Sequence, residues 1–473
     1  MLIALVIIVF LTTVVCEVGA RREWLPYWII RKILHVVAVG ACAVATLEID
    51  RQLLTDIVTI AEILLIVLVA SGKLMRDETG RLAWGVVWFP LAFLMLLLFD
   101  VDTKIVAFSM AVLAICDASA TVAGKLLAKN TYQLTGDSKS LAGNVGFVIS
   151  FIILYALAGP IIPALDFTGV CCIAVIVASA EAVGSRGLDN ITVPISTAFL
   201  LGAFVTEPIS SSALLLLIVF GAMFALLPRI QKSLTGGGIV AAVLLAVVVA
   251  VGSRSVEWLL PLFVFFGSSL LIGRIFPANT IASDAKHQQP RDATQVFANG
   301  SVYGFYAVFM WPTEDLLYFL HPQTEVWLLS IMAMATADTW SSEIGQHFKQ
   351  PTYDLLRWQK VPPGLSGGVS IAGTLAGLAG AAFLVGCCFW LLPHYRFEFS
   401  LKIILFGFLG MLLDSLLGSL LQAKYLDSAT NRLSDTPSGN GELVRGYSWV
   451  TNDLINFLAI LIGVTVFSYL MLF

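Results

Sequence analysis

The chain runs to 473 residues with a net charge of -4, and 58% of its residues are apolar against 12% charged. Soluble domains carry roughly twice that charged fraction, so the composition excludes a soluble globular fold and leaves an integral membrane protein. The seven cysteines, at 16, 42, 116, 171, 172, 387 and 388, all sit in apolar stretches without metal-ligand spacing and read as small hydrophobes.

Apolar runs of membrane-spanning length recur from end to end, which implies helices rather than a barrel. In chain order the expected spans are 1–20, 34–48, 53–70, 84–99, 105–127, 140–158, 167–184, 194–206, 211–227, 236–252, 258–274, 293–311, 326–345, 365–392, 400–421 and 450–472. The runs 34–48 and 194–206 are short enough to be re-entrant. Met1 to Ala20 has no basic residue before it and no small-residue cleavage site after it, so it reads as a retained helix. The polar break Pro228-Arg229-Ile230-Gln231-Lys232-Ser233 divides the chain into 1–227 and 228–473. The expected fold is an all-α polytopic membrane protein, with about 16 transmembrane helices in two consecutive bundles.

With the N-terminus outside, 22 of the 27 basic residues fall in loops on the cytoplasmic side. The exceptions are Arg51, Lys104, Arg254, Arg396 and Lys402. That bias follows the positive-inside rule. It implies a protein of the cell inner membrane with both termini outside and its polar motif loops facing the cytoplasm.

The chemistry-bearing residues are acids inside apolar segments. A carboxylate at membrane depth costs about 3 kcal/mol or more unless paired or solvated. In the first half, Asp117 leads Thr121 by four and Gly124 by seven, which places all three on one helical face with Lys125 at its cytoplasmic end. Across a loop, Gly136-Asp137-Ser138-Lys139-Ser140 and Gly143 open the next span. Free N–H groups, an ammonium and a hydroxyl suit phosphate oxygens, although the P-loop pattern is absent. Glu181 and Asp189-Asn190-Ile191-Thr192-Val193-Pro194 add acids and an amide. Asp189 reads as a second metal ligand or as a base for a substrate hydroxyl, and Asp189-Asn190 equally as a helix cap. Lys125 and Lys129 also satisfy the positive-inside bias, and His35 after Arg31-Lys32 suits an interface. Glu62 is equally deep, either structural or lining a substrate pocket.

The second half is denser. Gln295-Val296-Phe297-Ala298-Asn299-Gly300 opens a span with amides. Asp338, Ser341 and Ser342 share a helical face, with Glu343 one turn on. Pro363-Gly364-Leu365-Ser366-Gly367-Gly368-Val369-Ser370 is a loop-to-helix start that forms an anion nest. Asp414-Ser415 lies deep in a later span, and Thr451-Asn452-Asp453 with Asn456 starts the last one. Acids converging near one membrane face suit one or two Mg²⁺ ions. Helix packing through small residues accounts for the Gly and Ser positions, but not for Asp338, Glu343 and Asp414 together.

On these residues the first half resembles the phytol kinase and dolichol kinase family, relatives of CDP-diacylglycerol synthase. The likeness rests on Arg31-Lys32-x-x-His35, Asp117-Ala118-x-Ala120-x-x-x-Gly124, Lys139-Ser140-x-x-Gly143, Glu181 and Asp189-Asn190-x-x-x-Pro194. The second half resembles the phytyl-phosphate kinase family. There it rests on Leu234-Thr235-Gly236, Gln295-Val296-x-Ala298-Asn299-Gly300, Ala337-Asp338-Thr339-x-x-Ser342-Glu343-Ile344-Gly345, Pro363-Gly364-x-Ser366-Gly367-Gly368, Asp414-Ser415-x-x-Gly418 and Asn452-Asp453-x-x-Asn456.

The resemblance implies a fusion. One half phosphorylates a prenyl alcohol from CTP or a similar nucleotide, and the other converts the monophosphate to the diphosphate. Catalytic roles are expected for Asp117, Lys139, Glu181 and Asp189, and for Asp338, Glu343 and Asp414. Nucleotide or phosphate contacts are expected from Thr121, Gly124, Lys125, Ser140, Gly143 and Asn190, and from Asn299, Ser342, Gly364, Ser366, Gly367 and Asn452. Mg²⁺ is expected on Asp117, Asp338, Asp414 and Asp453. Partners are prenyl alcohol and prenyl phosphate lipids in the membrane, with no nucleic acid. Alternatives are a lipid-phosphate cytidylyltransferase, and a secondary transporter built on two halves with buried acids.

Overall fold

The computed structural model describes residues 1–71, 84–159, 162–206, 209–277, 289–308, 324–348, 350–392, 396–427, 432–436 and 441–471. It divides into two compact units, Met1–Leu226 and Leu227–Phe473. Parts of the expected cytoplasmic loops, among them Lys73, Arg76, Arg81, Lys286 and Lys349, and the end of the expected span 293–311 lie outside the described residues.

In the first unit the helices are α1 (Leu2–Arg21), α2 (Tyr27–Glu48), α3 (Arg51–Ala70), α4 (Gly85–Leu98) and α5 (Thr103–Leu127). A hairpin of β1 (Thr131–Gln133) and β2 (Ser138–Ser140) then leads to α6 (Leu141–Ala158), α7 (Phe167–Val183), α8 (Asp189–Thr206) and α9 (Ser211–Ala225). The hairpin is antiparallel, with Thr131 opposite Ser140. Short polar residues start these helices by accepting from free backbone N–H groups. Asp102 caps α5, Ser140 caps α6 and Asp166 caps α7, each such bond contributing about 1 kcal/mol.

The second unit runs α10 (Pro228–Ser233), α11 (Gly236–Gly252), α12 (Leu260–Ile275), α13 (Ala293–Val308) and α14 (Thr324–His347). A sheet of β3 (Thr352–Asp354), β4 (Lys360–Val361) and β5 (Gly368–Val369), with β3 central, precedes α15 (Ile371–Cys388) and α16 (Arg396–Leu421). A second sheet of β6 (Lys424–Asp427), β7 (Arg432–Ser434) and β8 (Glu442–Arg445), with β6 central, precedes α17 (Asn452–Met471).

Each expected span has a helix among the described residues. Nine are long and apolar enough to cross a bilayer, and five more are shorter apolar helices. The remaining two are α13 and α14. In α14 the apolar stretch Val326 to Ala337 is buried inside its unit, and the polar residues Asp338 to His347 follow it. Three boundaries differ from the sequence reading. α2 begins at Tyr27 and is 22 residues long, so Arg31 and Lys32 lie within the helix rather than ahead of it. α8 begins at Asp189, with Pro194 inside it. The expected span 365–392 starts only at Ile371, because Gly364 and Gly367 take positive φ and keep the chain in a loop.

α5 and α14 are the central helices of their units, and each packs closely against the helix that follows it. The acid leads a glycine by seven residues in both, Gly124 after Asp117 and Gly345 after Asp338. In both the next helix starts with a serine cap three residues before a second glycine. Ser140 Oγ accepts from Gly143 N at 3.1 Å, and Ser370 Oγ from Gly373 N at 3.2 Å. A Cβ on Gly143 would lie 3.0 Å from the Ala120 carbonyl oxygen, and one on Gly373 3.0 Å from that of Ser341. These glycines let the two helix backbones touch. Gly373→Val should therefore pry α15 from α14 and cost about 1–3 kcal/mol. Thermal unfolding in detergent measures this, and an unshifted midpoint would contradict the close packing.

Candidate active sites

In the first unit four helices supply the site: the first turns of α2, the middle of α5, the end of α7 and the start of α8. Asp117 lies ten residues before the end of α5, about 15 Å into the helix at 1.5 Å per residue. It is 4% exposed, and Glu181 at the end of α7 is 5% exposed. One oxygen each of Asp117, Glu181 and Asp189 fall within 4.8 Å of one another. Two lysines face this trio. Lys32 Nζ lies 2.6 Å from Asp117 Oδ2, and His35 Nε2 lies 3.3 Å from the same oxygen. Lys139 Nζ lies 2.5 Å from Glu181 Oε1 and 3.5 Å from Asp189 Oδ2. Burial opposes the charge on Lys139, but the Asp189 and Glu181 carboxylates outweigh it and raise its pKa above the usual ammonium range.

The loops that deliver these groups are tied together. The Arg186 N–H donates to Asp137 Oδ2 at 2.8 Å, and Thr135 Oγ1 donates to the Val183 carbonyl at 3.0 Å. These bonds fasten the β1–β2 turn to the α7–α8 turn. A Cβ on Gly184 would meet the Asp189 backbone at 2.7 Å, so the small residue lets Asp189 fold back over α7. Asn190 is part of the frame, because its Nδ2 donates to the Gly85 carbonyl at 2.8 Å.

Three clustered carboxylates form a hard oxygen donor set that fits Mg²⁺. The two ammonium groups balance most of their charge. The same lysines have the reach and sign to bind phosphate once a divalent ion shares the acids.

In the second unit the acids stand in the crevice between α14, α16 and α17. Asp414, 8% exposed, interacts electrostatically with Asp338 and with Lys424. The Asn456 side-chain amide, turned to donate, reaches Asp414 Oδ2 at 3.1 Å and the Asn452 carbonyl at 3.0 Å. The Gly364–Gly368 loop is pinned beside it. A Cβ on Gly367, whose φ is +84°, would sit 2.6 Å from the Ser419 amide nitrogen. Ser419 Oγ donates to Asp354 Oδ1 at 2.8 Å, and Arg357 Nη1 donates to the Ser419 carbonyl at 3.0 Å. Arg357 is also 3.3 Å from Asp354 Oδ2. The β3 strand and the end of α16 thereby hold the loop from two sides.

The sequence-derived residues divide accordingly. Asp117, Lys139, Glu181 and Asp189 come together, with Ser140 and Gly143 framing the adjacent helix start. Gly124 packs against Ser140, where an added Cβ would be 3.0 Å from Oγ. Thr121 Oγ1 donates back to the Asp117 carbonyl at 3.1 Å, and Lys125 is exposed at the last turn of α5, outside the ion-pair cluster. In the second unit Asp338 and Asp414 interact, Asn456 joins Asp414 to Asn452, and the loop of Gly364, Ser366 and Gly367 rests on Ser419, while Asp453 is buried in the first turn of α17. Ser342 Oγ returns to the Thr339 carbonyl at 3.0 Å, and Asn299 Nδ2 to the Gln295 carbonyl at 3.0 Å.

Two placements differ from expectation. Glu343 turns toward α12 and α13, with Oε1 3.2 Å from Arg291 Nη2 and 3.3 Å from Ser269 Oγ. Five residues of helix rotate it about 140° from Asp338. The three-acid group that could hold a metal, among the described residues, is in the first unit, whereas the sequence reading placed most metal ligands in the second. Lys32 joins the site although the sequence pattern, which starts this span at 34, leaves it in a loop. A lysine and a histidine three apart, just ahead of an apolar run, were the available signal.

Comparison with known proteins bears on the chain as a whole. A family model described as integral membrane protein DUF92 matches residues 218–464, more than half of the chain. The chain belongs to the DUF92 family. The match covers nearly all of the unit holding Asp338 and Asp414. Among relatives it is 30% identical over 141 residues to Protein PGR of Arabidopsis thaliana, covering 28% of this chain and 49% of that one. It is 31% identical over 172 residues to the uncharacterized membrane protein MJ0933 of Methanocaldococcus jannaschii, covering 36% and 66% respectively. It is 29% identical over 137 residues to Protein VTE6, chloroplastic, of Arabidopsis thaliana, covering 28% and 34%. The DUF92 chain thus spans less than two thirds of each of these relatives. No solved structure matches it.

Proposed function

We propose that this DUF92 protein is a bifunctional membrane phosphotransferase acting on isoprenoid lipids. The first unit transfers the terminal phosphoryl group of CTP, or a similar nucleotide, to a prenyl alcohol. The second transfers another to the resulting monophosphate. The observation that carries the reading is the Asp117, Glu181 and Asp189 trio facing Lys32 and Lys139 within a helical bundle. Its second support is the resemblance of the second unit to phytyl-phosphate kinases on the ordered motifs around Asp338, Ser366 and Asp414. The site end of both units is assigned to the cytoplasm of an inner membrane, where basic residues concentrate and nucleotides are found.

Asp117 with Glu181 and Asp189 would hold Mg²⁺ in the first unit, and Asp338 with Asp414 in the second. The bound ion supplies charge neutralisation on the donor phosphates. The chain's own part is positioning and electrostatics. Lys139 and Lys32 trade their carboxylates for phosphate oxygens. The alcohol oxygen attacks the terminal phosphorus, its proton passes to Glu181 or Asp189, and the nucleoside diphosphate leaves.

Purified protein with radiolabelled CTP, Mg²⁺ and a panel of prenyl alcohols tests the reading. Prenyl monophosphate, prenyl diphosphate and CDP should accumulate. Asp117→Asn should abolish the first step alone, and Asp338→Asn the second alone. Pyrophosphate release in place of CDP would mark a cytidylyltransferase and overturn the assignment.

A further inference from the structure

In the first unit the residue before the serine cap of α6 is Lys139, whose ammonium enters the acid cluster. In the second unit the residue before the matching serine cap of α15, Ser370, is Val369. That position supplies no cation. The ammonium whose charge reaches Asp414 comes from elsewhere in the chain. Lys424, at the start of β6, is 4% exposed, and its charge interacts with Asp414. Its Nζ donates to the Ser366 carbonyl at 2.7 Å and pairs with Asp435 Oδ1. The other oxygen of Asp435 accepts the Ser366 backbone N–H at 2.8 Å.

One carboxylate is thus gripped by a buried ammonium and by an amide of a loop made from Gly364, Ser366, Gly367 and Gly368. An ammonium and a loop amide converging on one anion is how phosphate oxygens are held. Asp435 is not needed to shape that loop. β5 pairs with β3, and Gly367 rests on the Ser419 backbone.

We propose that Lys424 and the Ser366 amide form the phosphate subsite of the second unit, and that Asp435 is a built-in anion occupying it until a phosphate displaces it. This deepens the phosphotransferase reading and rests on it for the ligand class, a phosphate monoester or anhydride. The incoming phosphate takes both hydrogen bonds, the Asp435 side chain withdraws, and the ammonium, still within electrostatic reach of Asp414, now holds the phosphate. An internal competitor lowers apparent affinity by the fraction of time it holds the site.

The test is phosphate binding rather than turnover, so it separates from the functional reading. Full-length protein in detergent is titrated with inorganic phosphate by calorimetry. Asp435→Asn keeps a hydrogen-bonding side chain but removes the competing charge, and should bind phosphate at least about tenfold more tightly than the native chain. Lys424→Met should bind at least about tenfold more weakly. If Lys424→Met does not fold, the charge-neutral pair Lys424→Gln with Asp435→Asn stands in. It should lose the gain seen in Asp435→Asn. Competition then identifies the source of the phosphate. Displacement by a prenyl monophosphate marks the acceptor side, and displacement by CTP the donor side. Unchanged or weaker binding in Asp435→Asn would overturn the proposal and leave the pair a structural ion bridge. Tighter binding without any turnover on CTP would sink the kinase reading and leave this site standing.

Discussion

The double variant Asp117→Asn with Lys32→Met should remain folded and have no alcohol-kinase activity, whereas Asp117→Asn alone should lose both stability and activity. The pair is 2.6 Å apart with side chains only 15% and 6% exposed. Removing the Asp117 charge leaves the buried Lys32 with only the more distant Asp189 to balance it, a loss that approaches the figure of about 3–5 kcal/mol for a buried pair broken outright. Removing both charges together returns most of that stability, since an apolar side chain of similar length fills the space of Lys32. Activity follows a different rule. If Asp117 helps hold the ion that neutralises the donor phosphates, no change at Lys32 can restore it, and turnover should fall by at least about a thousandfold. The measurements are melting in detergent and radiolabelled transfer to a prenyl alcohol. Recovery of turnover in the double variant would reduce Asp117 to a counter-ion for Lys32. His35, 3.3 Å from the same oxygen, remains in place in both variants, so it cannot account for a difference between them.

Much of this architecture was legible because the bilayer imposes a simple rule. Every apolar run of sufficient length became a helix, and the runs read as short gained their missing turns from polar residues that the rule does not score. The turns around Lys32 and Asp189 are the clearest cases. They are helical, but their charged side chains pair across the bundle, Lys32 with Asp117 and Asp189 with Lys139, so they escape the cost of lipid exposure that hydropathy measures. Glu343 shows the opposite limit. Its depth was read correctly as a cost that needs a partner, but the partner, Arg291, is 52 residues earlier in the chain. Spacing along one helix cannot reveal such a pairing. The match between Asp117 with Gly124 and Asp338 with Gly345 was equally present in the sequence. It gained meaning only when Gly143 and Gly373 proved to touch the same turns of their central helices.

Gly367→Ala should silence the second phosphoryl transfer while sparing the first. Two independent penalties meet at this residue. Its φ of +84° is a conformation that L-residues rarely adopt, at a cost of about 1–2 kcal/mol. The added Cβ would also lie 2.6 Å from the Ser419 nitrogen and 2.8 Å from its Cα. Backbone atoms of α16 cannot rotate away as a side-chain tip could, so the loop must move instead. Displacement of the loop carries the Ser366 amide with it, and a misplacement of about 1 Å is enough to cost on the order of a hundredfold in rate. Phosphorylation of the prenyl monophosphate should drop by about that factor or more, with phosphorylation of the alcohol unchanged. Gly386→Ala in α15, where an added Cβ has nothing within 4 Å, is the matched control and should alter neither step. Equal loss of both activities in Gly367→Ala would mean that the two units do not work as separate sites. Retention of both would mean that the loop carrying Ser366 touches no substrate.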